Sequence, residues 1–360
     1  MNETTTRFVG LDIGDRYTHF VVLDGDGAVV SRDRFRTRLG EVDEWLEEMG
    51  SAPSVVALET GVHSRWIGQM VRDAGHDVVV ANTRELALIS KNVRKSDEAD
   101  AELLARLVRA DRSLLHPVEG FLDRDDVTLT VIRGRDALVR ARSSLVIQVR
   151  GLAKAHGVVL PGSDAGTFHK NPVSSLPQHL RDALAPTLRA IEELTAQIES
   201  YDRDIEQISE NAYPETKTLR TIPGVGPVTA LAFVAVIGNP ERFENSRSVG
   251  AYLGLTPRRD QSGDSDPELR ITKHGDRYVR RLLVSCAQRM LSNNGTDCAL
   301  RDWGLRRAGT TSRREKKRAV VGVARRLAVV MHAMLRTGEE FRPWPNGRPE
   351  LVMKRTPVAA

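Results

Sequence analysis

The chain has 360 residues, of which 40% are hydrophobic and 28% are charged, and its formal net charge is +5. A chain of this length buries a substantial core and corresponds to about two or three domains. No apolar run approaches the ~20 residues of a membrane-spanning helix, and the N-terminal stretch lacks the pattern of an export signal. The two cysteines, Cys286 and Cys298, have no metal-type spacing. We therefore expect reduced thiols in a cytoplasmic protein without membrane association.

The charges are unevenly distributed along the chain. Residues 258–355 contain 23 Lys and Arg against 11 Asp and Glu, whereas the remainder contains 30 and 37. This polarity favours one half that carries functional carboxylates and another that binds a polyanion. A solvated basic surface without a partner is the simpler alternative.

The N-terminal stretch contains an acidic residue within an apolar run. Residues 8–13 predict a buried strand, residues 14–15 a tight turn, and residues 20–23 the returning strand. Asp12 lies inside the first strand, where an ionised carboxylate is costly unless a partner compensates it. We expect Asp12 to be a metal ligand.

Strand and helix patterns then alternate along the chain. The patterns predict strands at 28–34, 54–58 and 77–81, with helices at 41–49 and 64–74. This alternation is typical of a mixed α/β sheet. Glu59 stands at the carboxyl end of the strand at 54–58, where ligands of open α/β sheets collect. Glu59 is therefore a second candidate ligand.

A helix is predicted within residues 91–109, with Ser96 as its N-cap. Asp97 and Asp100 are three residues apart, so both should project from one face near its start. Acidic residues in a first turn often only complement the helix dipole, which is the alternative interpretation. Together with Asp12 and Glu59, however, the order of acidic residues is that of an RNase H-like nuclease core.

Residues up to about 110 resemble the RuvC-like domain of the DEDD transposases, the Piv-type recombinases of insertion-sequence family one-ten. The resemblance implies that Asp12, Glu59, Asp97 and Asp100 hold catalytic divalent ions. Carboxylate ligands suit Mg²⁺. Two such ions, with Mn²⁺ as a substitute, would stabilise the attacking and leaving oxygens of a phosphodiester displacement.

The middle of the chain is predicted to be helical. A long helix covers residues 125–155, and a connector rich in Gly, Pro and Ser follows at 157–177. A heptad seam of about four repeats comes next, formed by Leu184, Leu188, Ile191, Leu194, Ile198, Tyr201, Ile205 and Ile208. It predicts a coiled-coil arm, paired either with the 125–155 helix or with a second protomer. One helix packing on its own core is the alternative. The resemblance implies an insertion used for assembly into a homodimer or homotetramer.

Residues 222–227 resemble a helix-hairpin-helix loop. Gly224 and Gly226 would let backbone amides at a helix start face a nucleic-acid phosphate. Such a loop binds the backbone without reading sequence. A turn that uses glycine only for tight helix packing is the alternative.

Residues 248–283 resemble the C-terminal transposase domain of the same family, whose loop carries a serine that attacks DNA. Ser262 matches by its place in the sequence GLTPRRDQSG, with Ser265 as the alternative. Asp264 stands where the family usually has a second glycine. His274 is a candidate base, although a phosphate contact or surface role is commoner for such a residue. The basic residues expected to contact flanking phosphates are Arg258, Arg259, Lys273, Arg277 and Arg280.

Four regions are predicted: a RuvC-like domain at 1–115, a helical coiled-coil region at 116–213, a C-terminal transposase domain at 214–340, and an irregular tail at 341–360. Within the third, a basic run at 313–318 leads into a helix at 319–335. The basic run should contact nucleic acid, while the helix closes the core.

The sequence therefore predicts a DNA recombinase of a mobile element, in which Ser262 attacks a phosphodiester with the help of Mg²⁺. The resemblance further implies a structured guide RNA that selects the element ends and the target DNA. It also implies that carboxylates and serine can come from different protomers. We expect the protein to associate with the nucleoid.

Three alternatives remain at this point. A Holliday-junction-type endonuclease would use the same carboxylates with water as nucleophile. An actin-like kinase or ATPase also has a first hairpin of this kind, but no further phosphate-binding glycine loops follow before the helical region. A non-catalytic nucleic-acid-binding protein would leave Asp12 unexplained.

Overall fold

The computed structural model describes residues 6–82, 96–118, 120–122, 125–170, 172–259, 261, 267, 269–309, 312–345 and 347. The chain divides into two compact units, residues 1–124 and 125–360, and each is described by itself. Within the described residues, no helix combines the length and the hydropathy that a membrane crossing requires.

In its described residues, the first unit is built on a five-stranded sheet with the order β3-β2-β1-β4-β5. Neighbouring strands β1 and β2, and β2 and β3, pair antiparallel, whereas β1 and β4, and β4 and β5, pair parallel. The strands are β1 (Arg7–Ile13), β2 (Tyr17–Leu23), β3 (Val29–Arg36), β4 (Ser54–Glu59) and β5 (Asp77–Ala81). The prediction of a mixed sheet is confirmed, and the arrangement is consistent with an RNase H-like domain.

Helices cover both faces of this sheet. Helices α1 (Leu39–Met49) and α2 (Ser64–Asp73) pack against one face, where Leu11 and Leu58 are fully buried. Helix α3 (Asp97–Ala110) covers the opposite face, and the 3-10 turn Arg112–Leu115 follows it. Because successive side chains of a strand point to opposite faces, residues 10 and 12 of β1 face α3 while Leu11 faces away from it.

The second unit is helical in its described part. Its helices are α4 (Asp126–Ala155), α5 (Gln178–Ala212), α6 (Glu215–Leu219), α7 (Pro227–Ile237), α8 (Ser248–Tyr252), α9 (Arg277–Met290), α10 (Ala299–Ala308) and α11 (Arg313–Thr337). The 3-10 turns Pro172–Ser175 and Pro240–Arg242 lie between them. The predicted boundaries at residues 115, 213 and 340 remain predictions.

Helices α4 and α5 run antiparallel as a hairpin. The Arg135 guanidinium contacts the Asp202 carboxylate at 2.6 Å, and Arg142 donates to the Thr195 hydroxyl at 3.3 Å. A small core closes the far end of the hairpin around Phe168, which is fully buried. The predicted seam therefore meets the 125–155 helix within one chain; its use as a coiled-coil assembly arm remains a prediction.

The main core of the second unit surrounds α7. Every residue of this helix from Thr229 to Ile237 is buried, as expected for a helix that is apolar on all sides. Helices α9 and α11 pack around it, and Cys286 and Cys298 are both free thiols buried in this core. The central helix gives the surrounding loops a rigid support.

Candidate metal centre and nucleic-acid groove

Two of the four expected acidic residues stand side by side at the carboxyl ends of neighbouring strands. Strands β1 and β4 are in parallel register, with Leu11 opposite Leu58. Asp12 and Glu59 each follow this pair by one residue, so their side chains lie on the same face of the sheet, the face that α3 covers. The Glu59 backbone carbonyl also accepts a hydrogen bond from the buried Ser64 hydroxyl, which holds the start of α2 against this strand end.

Helix α3 approaches this face so closely that a side chain at residue 10 is excluded. A Cβ atom on Gly10 would lie 2.0 Å from the Ala101 carbonyl oxygen and 2.6 Å from the Ala105 nitrogen. No backbone movement of a few tenths of an ångström would relieve such a contact. Glycine at this position therefore sets the distance between the sheet and the helix that carries Asp97 and Asp100.

The two acidic residues of α3 lie above different strands. Ala101 and Ala105 pack with Val21 and Leu23 of β2, so Asp97, one turn earlier on that stripe, is directed towards β1 and β2. Residues Leu104 and Val108 pack with β4 and β5, so Asp100, one turn earlier on its stripe, is directed towards the end of β4. Helix periodicity therefore predicts that Asp97 lies near Asp12 and that Asp100 lies near Glu59.

A third side chain joins Asp12 and Asp97. One potential ligand atom from each of Asp12, His19 and Asp97 lies within 4.8 Å of the other two. The His19 Nδ1 atom is 3.7 Å from an Asp97 carboxylate oxygen, and the side chains of His19 and Asp97 are 19% and 69% exposed. Two carboxylates and an imidazole at these separations form a donor set that fits one divalent cation.

The first turn of α3 also bears on whether Asp97 and Asp100 are metal ligands. The Ser96 hydroxyl accepts a hydrogen bond from the Ala99 amide at 3.2 Å, which confirms the predicted N-cap. Asp97 is exposed, whereas Asp100 is 4% exposed. Burial disfavours the charged form of a carboxylate, whereas the helix N-terminus and a nearby cation both favour it.

The sequence pattern does not indicate His19 as a ligand, because it predicts that the returning strand begins at residue 20. The observed strand β2 begins at Tyr17, and its antiparallel register places His19 directly opposite Asp12. The register of the hairpin would have identified His19. A two-stranded hairpin that closes with Ile13 opposite Thr18 necessarily pairs residues 12 and 19.

The residues on either side of the expected nucleophile form a two-stranded pairing in the second unit. Pro257 and Ile271 form an antiparallel bridge, and the Arg258 amide donates to the Arg270 carbonyl at 2.9 Å. Lys273 adds a bond from its amide to the Gly254 carbonyl at 3.1 Å, with its own φ at 59° in the left-handed region. Ser262 and Ser265, the two candidate nucleophiles, lie outside the described residues.

The five basic residues expected to contact phosphates have different environments. Arg258, Arg259 and Lys273 are exposed and line a common groove, and Arg277 is exposed at the start of α9. Arg280 is buried and donates to the backbone carbonyls of Leu253 and His274 at 2.9 and 2.7 Å. In this structure, the Arg280 guanidinium therefore supports the loop from inside instead of facing solvent.

The groove has a volume of about 1970 Å³ and is lined by both apolar and basic side chains. It extends from the base of the serine loop along α10 and α11 to residues 337–345. Among the described residues, its acidic lining residues are Glu339 and Glu340, whereas its basic lining residues are Arg247, Arg258, Arg259, Arg270, Lys273, Arg307, Arg313, Arg314, Lys317, Arg318, Arg325, Arg326 and Arg342. Most of the basic run predicted at 313–318 therefore faces this groove.

Crowding of positive charge is visible at the tryptophan of α10. The Arg326 guanidinium lies 3.9 Å from the centre of the Trp303 ring, and Arg307 lies 5.8 Å from it. Burial and the neighbouring Arg307 lower the pKa of Arg326. A polyanion in the groove would relieve this repulsion.

The predicted glycine loop does precede a helix. Gly224 has φ at 87°, in the left-handed region that favours glycine, and Gly226 is the N-cap of α7. A Cβ on Gly226 would meet no neighbouring atom, so its amide end of the helix is accessible. Whether the loop binds phosphate remains a prediction.

Comparisons with known families match both units. Residues 9–156 match the family model of IS110-type DEDD transposases, and residues 216–299 match the model of the IS116/IS110/IS902 transposase family. The first range contains all four candidate carboxylates, and the second contains the glycine loop, the serine loop and the start of α10.

Relatives with similar sequences carry transposase names. The transposase for insertion sequence element IS1328 of Yersinia enterocolitica is 28% identical over 284 residues, covering 78% of this chain and 82% of the relative. The transposase for IS1111A of Coxiella burnetii is 28% identical over 258 residues, covering 69% and 68%. A Pseudomonas aeruginosa protein named "Probable family 20 transposase" is 26% identical over 344 residues, covering 93% and 98%.

Proposed function

The chain belongs to the DEDD transposases of the IS110 family, and from this premise we propose that it cuts and rejoins DNA through the hydroxyl of Ser262. Four carboxylates, those of Asp12, Glu59, Asp97 and Asp100, assist the reaction by holding divalent cations. The observation that supports this proposal most is the convergence of Asp12 and Asp97, which are far apart in sequence, on a common donor group.

The family implies divalent metal dependence, and we assign the cations as Mg²⁺, with two ions and Mn²⁺ as a substitute. Bound Mg²⁺ would supply positive charge to the phosphate and to the attacking and leaving oxygens. The protein's part is to fix the donors on strand ends and on one helix, so that little reorganisation is required when substrate binds.

The chemical step is a transesterification. The bond between Ser262 Oγ and the phosphorus forms as the bond between the phosphorus and the 3′ oxygen breaks. The hydroxyl proton leaves Ser262, and the released 3′ oxygen takes up a proton. Attack by a 3′ hydroxyl of another strand reverses these changes, restores Ser262 and joins the DNA. Because the phosphoserine bond conserves the phosphodiester energy, no nucleotide cofactor is required.

The second unit positions the nucleic acid. The exposed guanidinium and ammonium groups of Arg258, Arg259 and Lys273, which flank the serine loop in the sequence and line the groove, bind the phosphates on either side of the scissile bond. Arg277 at the start of α9 extends this contact, and amides near Gly224 and Gly226 bind the backbone further along. Arg280 acts indirectly, because its bonds to Leu253 and His274 hold the loop base.

Two further parts of the proposal concern partners. A structured guide RNA selects the element ends and target by base pairing, and the basic groove suits an RNA backbone as well as DNA. The hairpin of α4 and α5 serves as a coiled-coil arm through which protomers assemble as a dimer or tetramer. Its antiparallel packing supports a stiff arm of 30 to 35 residues per helix.

The proposal is tested with the full chain, DNA carrying the element ends, the element's own RNA and Mg²⁺, followed by a denaturing gel. We expect a DNA-linked protein band that is absent for Ser262→Ala and for reactions without Mg²⁺. Ser265→Ala is the matched control, since it changes a serine three residues away in the same loop. Omission of the RNA should abolish site-specific linkage.

Other results would contradict particular parts. Cleavage by Ser262→Ala without a linked band would identify water as the nucleophile, as in a Holliday-junction-type endonuclease. Loss of the band in Ser265→Ala, with Ser262→Ala unaffected, would move the nucleophile to Ser265. Site-specific linkage without RNA would remove the guide from the proposal.

A further inference from the structure

His19 is the histidine that the β1–β2 hairpin places in the carboxylate group. We propose that His19 is a nitrogen ligand of the divalent cation held by Asp12 and Asp97, so that this metal position has a mixed nitrogen and oxygen donor set. The inference rests on the proposed function for the presence of a cation, and it adds a residue outside the four acidic positions.

The backbone fixes where His19 lies. It pairs with Asp12 across an antiparallel ladder, and such partners place their Cβ atoms about 4.5–5.5 Å apart on the same face of the sheet. Neither residue is on a loop, since β1 ends at Ile13 and β2 begins at Tyr17. The imidazole is therefore presented to the Asp12 side of the sheet by the strand register itself.

The third donor comes from a different element. Asp97 is the first residue of α3, whose position over β1 and β2 is set by the close approach at Gly10 and by the Ser96 cap. Its carboxylate oxygen is 3.7 Å from His19 Nδ1. That separation is within the range of an ion pair but longer than the 2.7–3.2 Å of a hydrogen bond, so no hydrogen bond joins the two groups directly.

A shared ion accounts for the spacing better. Donor atoms about 2.1 Å from one octahedral ion are roughly 3.0 Å apart when adjacent and roughly 4.2 Å apart when opposite. The observed 3.7 Å lies between these limits, and all three donors lie within 4.8 Å of one another. Small side-chain rotations that shorten these separations would bring all three donors onto one ion.

The chemistry predicts a preference among metals. Carboxylate and water ligands suit Mg²⁺ and Mn²⁺ alike, whereas an imidazole nitrogen favours the transition metal. A position with His19 as ligand should therefore bind Mn²⁺ more tightly relative to Mg²⁺ than an all-carboxylate position would.

The first unit offers a matched control histidine. His63 also lies beside an aspartate, with its Nε2 atom 3.5 Å from the Asp15 carboxylate, and its side chain is 29% exposed. Its Nδ1 atom accepts a hydrogen bond from the Trp66 indole at 3.1 Å. His63 is not part of the three-residue donor group, so His63→Gln removes an imidazole beside an aspartate without touching the proposed ligand set.

The test uses Mn²⁺ alone as the probe on the full chain, with pulsed electron paramagnetic resonance to detect nitrogen bound to the ion. We expect nitrogen modulation from a bound imidazole in the parent protein and in His63→Gln, and its loss in His19→Gln. Equilibrium titration should show Mn²⁺ binding weakened about tenfold in His19→Gln, with Mg²⁺ binding changed less than about threefold.

A labelled sample guards against a variant that fails to fold. Growth with ¹⁵N-histidine labels all nine histidines and should shift the modulation frequency in the unmutated protein. The Asp12→Asn variant distinguishes the role of His19 from the existence of the carboxylate metal site. Mn²⁺ binding that depends on Asp12 but shows no nitrogen modulation overturns the role of His19 and leaves the carboxylate site intact. Absence of any Asp12-dependent Mn²⁺ binding overturns the proposed metal site, and the role of His19 with it.

Discussion

The two units present their functional groups in opposite ways. In the first, Asp12, Glu59 and His19 stand on paired strands, and Asp97 follows from the close packing of α3 at Gly10. In the second, the basic groove is lined by long side chains on helix surfaces and beside a loop. In the first unit, the backbone leaves each side chain few possible positions. In the second unit, many similar charged side chains can move independently of one another.

This difference implies different responses to substitution. A site in which each donor has one position should lose function almost completely when one donor is removed. A groove that binds through many exposed cations should lose affinity gradually, in steps that depend on salt concentration.

Removal of one carboxylate should have the largest effect. We expect Asp12→Asn to lower the rate of DNA cleavage about 10³-fold or more, equivalent to about 4 kcal/mol, because a neutral amide binds a divalent cation poorly. DNA affinity, measured by fluorescence anisotropy, should stay close to that of the parent. Asp15→Asn is the control, since Asp15 is exposed and lies three residues away. Cleavage by Asp12→Asn above a tenth of the parental rate would contradict the prediction.

Substitution at the contact between sheet and helix should be nearly as severe, but through stability. Gly10→Ala places a methyl group 2.0 Å from the Ala101 carbonyl oxygen, so we expect a loss of about 2–4 kcal/mol in the free energy of unfolding. Denaturant unfolding of the full chain measures this loss.

Gly40→Ala provides the matched control for that measurement. A Cβ at Gly40 would meet no neighbouring atom, and the residue lies within α1, where alanine is the better helix former. It should leave stability unchanged or raise it by up to about 1 kcal/mol. Equal destabilisation by the two substitutions would show that the packing at Gly10 is not the cause.

Single substitutions in the groove should have graded effects. Lys317→Ala removes a cation that lines the groove, and we expect a severalfold loss of nucleic-acid affinity with a salt slope reduced by about 0.9. Lys316→Ala removes the same charge from the adjacent residue of α11, which does not line the groove. Anisotropy titrations at several salt concentrations compare the two variants, and identical slopes for both would argue against the groove as the binding surface.

The smallest predicted effect is a pH dependence of stability in the second unit. His332 is fully buried; its Nε2 donates to the Pro240 carbonyl at 3.0 Å, while its Nδ1 accepts from the Ser246 hydroxyl at 2.9 Å. Burial lowers the pKa of His332, although the bond to Pro240 and the nearby Glu241 oppose this and the nearby Arg336 and Arg242 reinforce it. The folded state therefore keeps the ring neutral at pH values where the unfolded state protonates it.

The sign of the effect follows from linkage. Below the unfolded pKa of about 6.5, the unfolded chain binds more protons than the folded chain, so stability falls as the pH is lowered. We expect the thermal midpoint to drop by a few degrees between about pH 7.5 and about pH 5.5. His332→Asn should lower the midpoint at neutral pH and reduce its dependence on pH. An unchanged pH dependence in that variant would assign the effect to other groups.

The sequence alone was sufficient for much of the first unit. Apolar runs predicted the strands. The positions of Asp12 within the first strand and of Glu59 at a later strand end predicted that both lie at one edge of the sheet, because strand direction and side-chain alternation are local properties. The serine loop depended instead on a family resemblance, since a serine in a polar loop carries no distinctive local signal.

Tertiary packing decided what the patterns could not express. Only the register of β1 and β2 brought His19 to Asp12, and only the approach of α3 at Gly10 separated the environments of Asp97 and Asp100. Similarly, Arg280 is indistinguishable in sequence from its exposed neighbours, yet it is buried beneath the loop that they flank. A local sequence pattern indicates whether a segment is a helix or a strand. The positions of these side chains depend instead on which distant part of the chain packs against that segment.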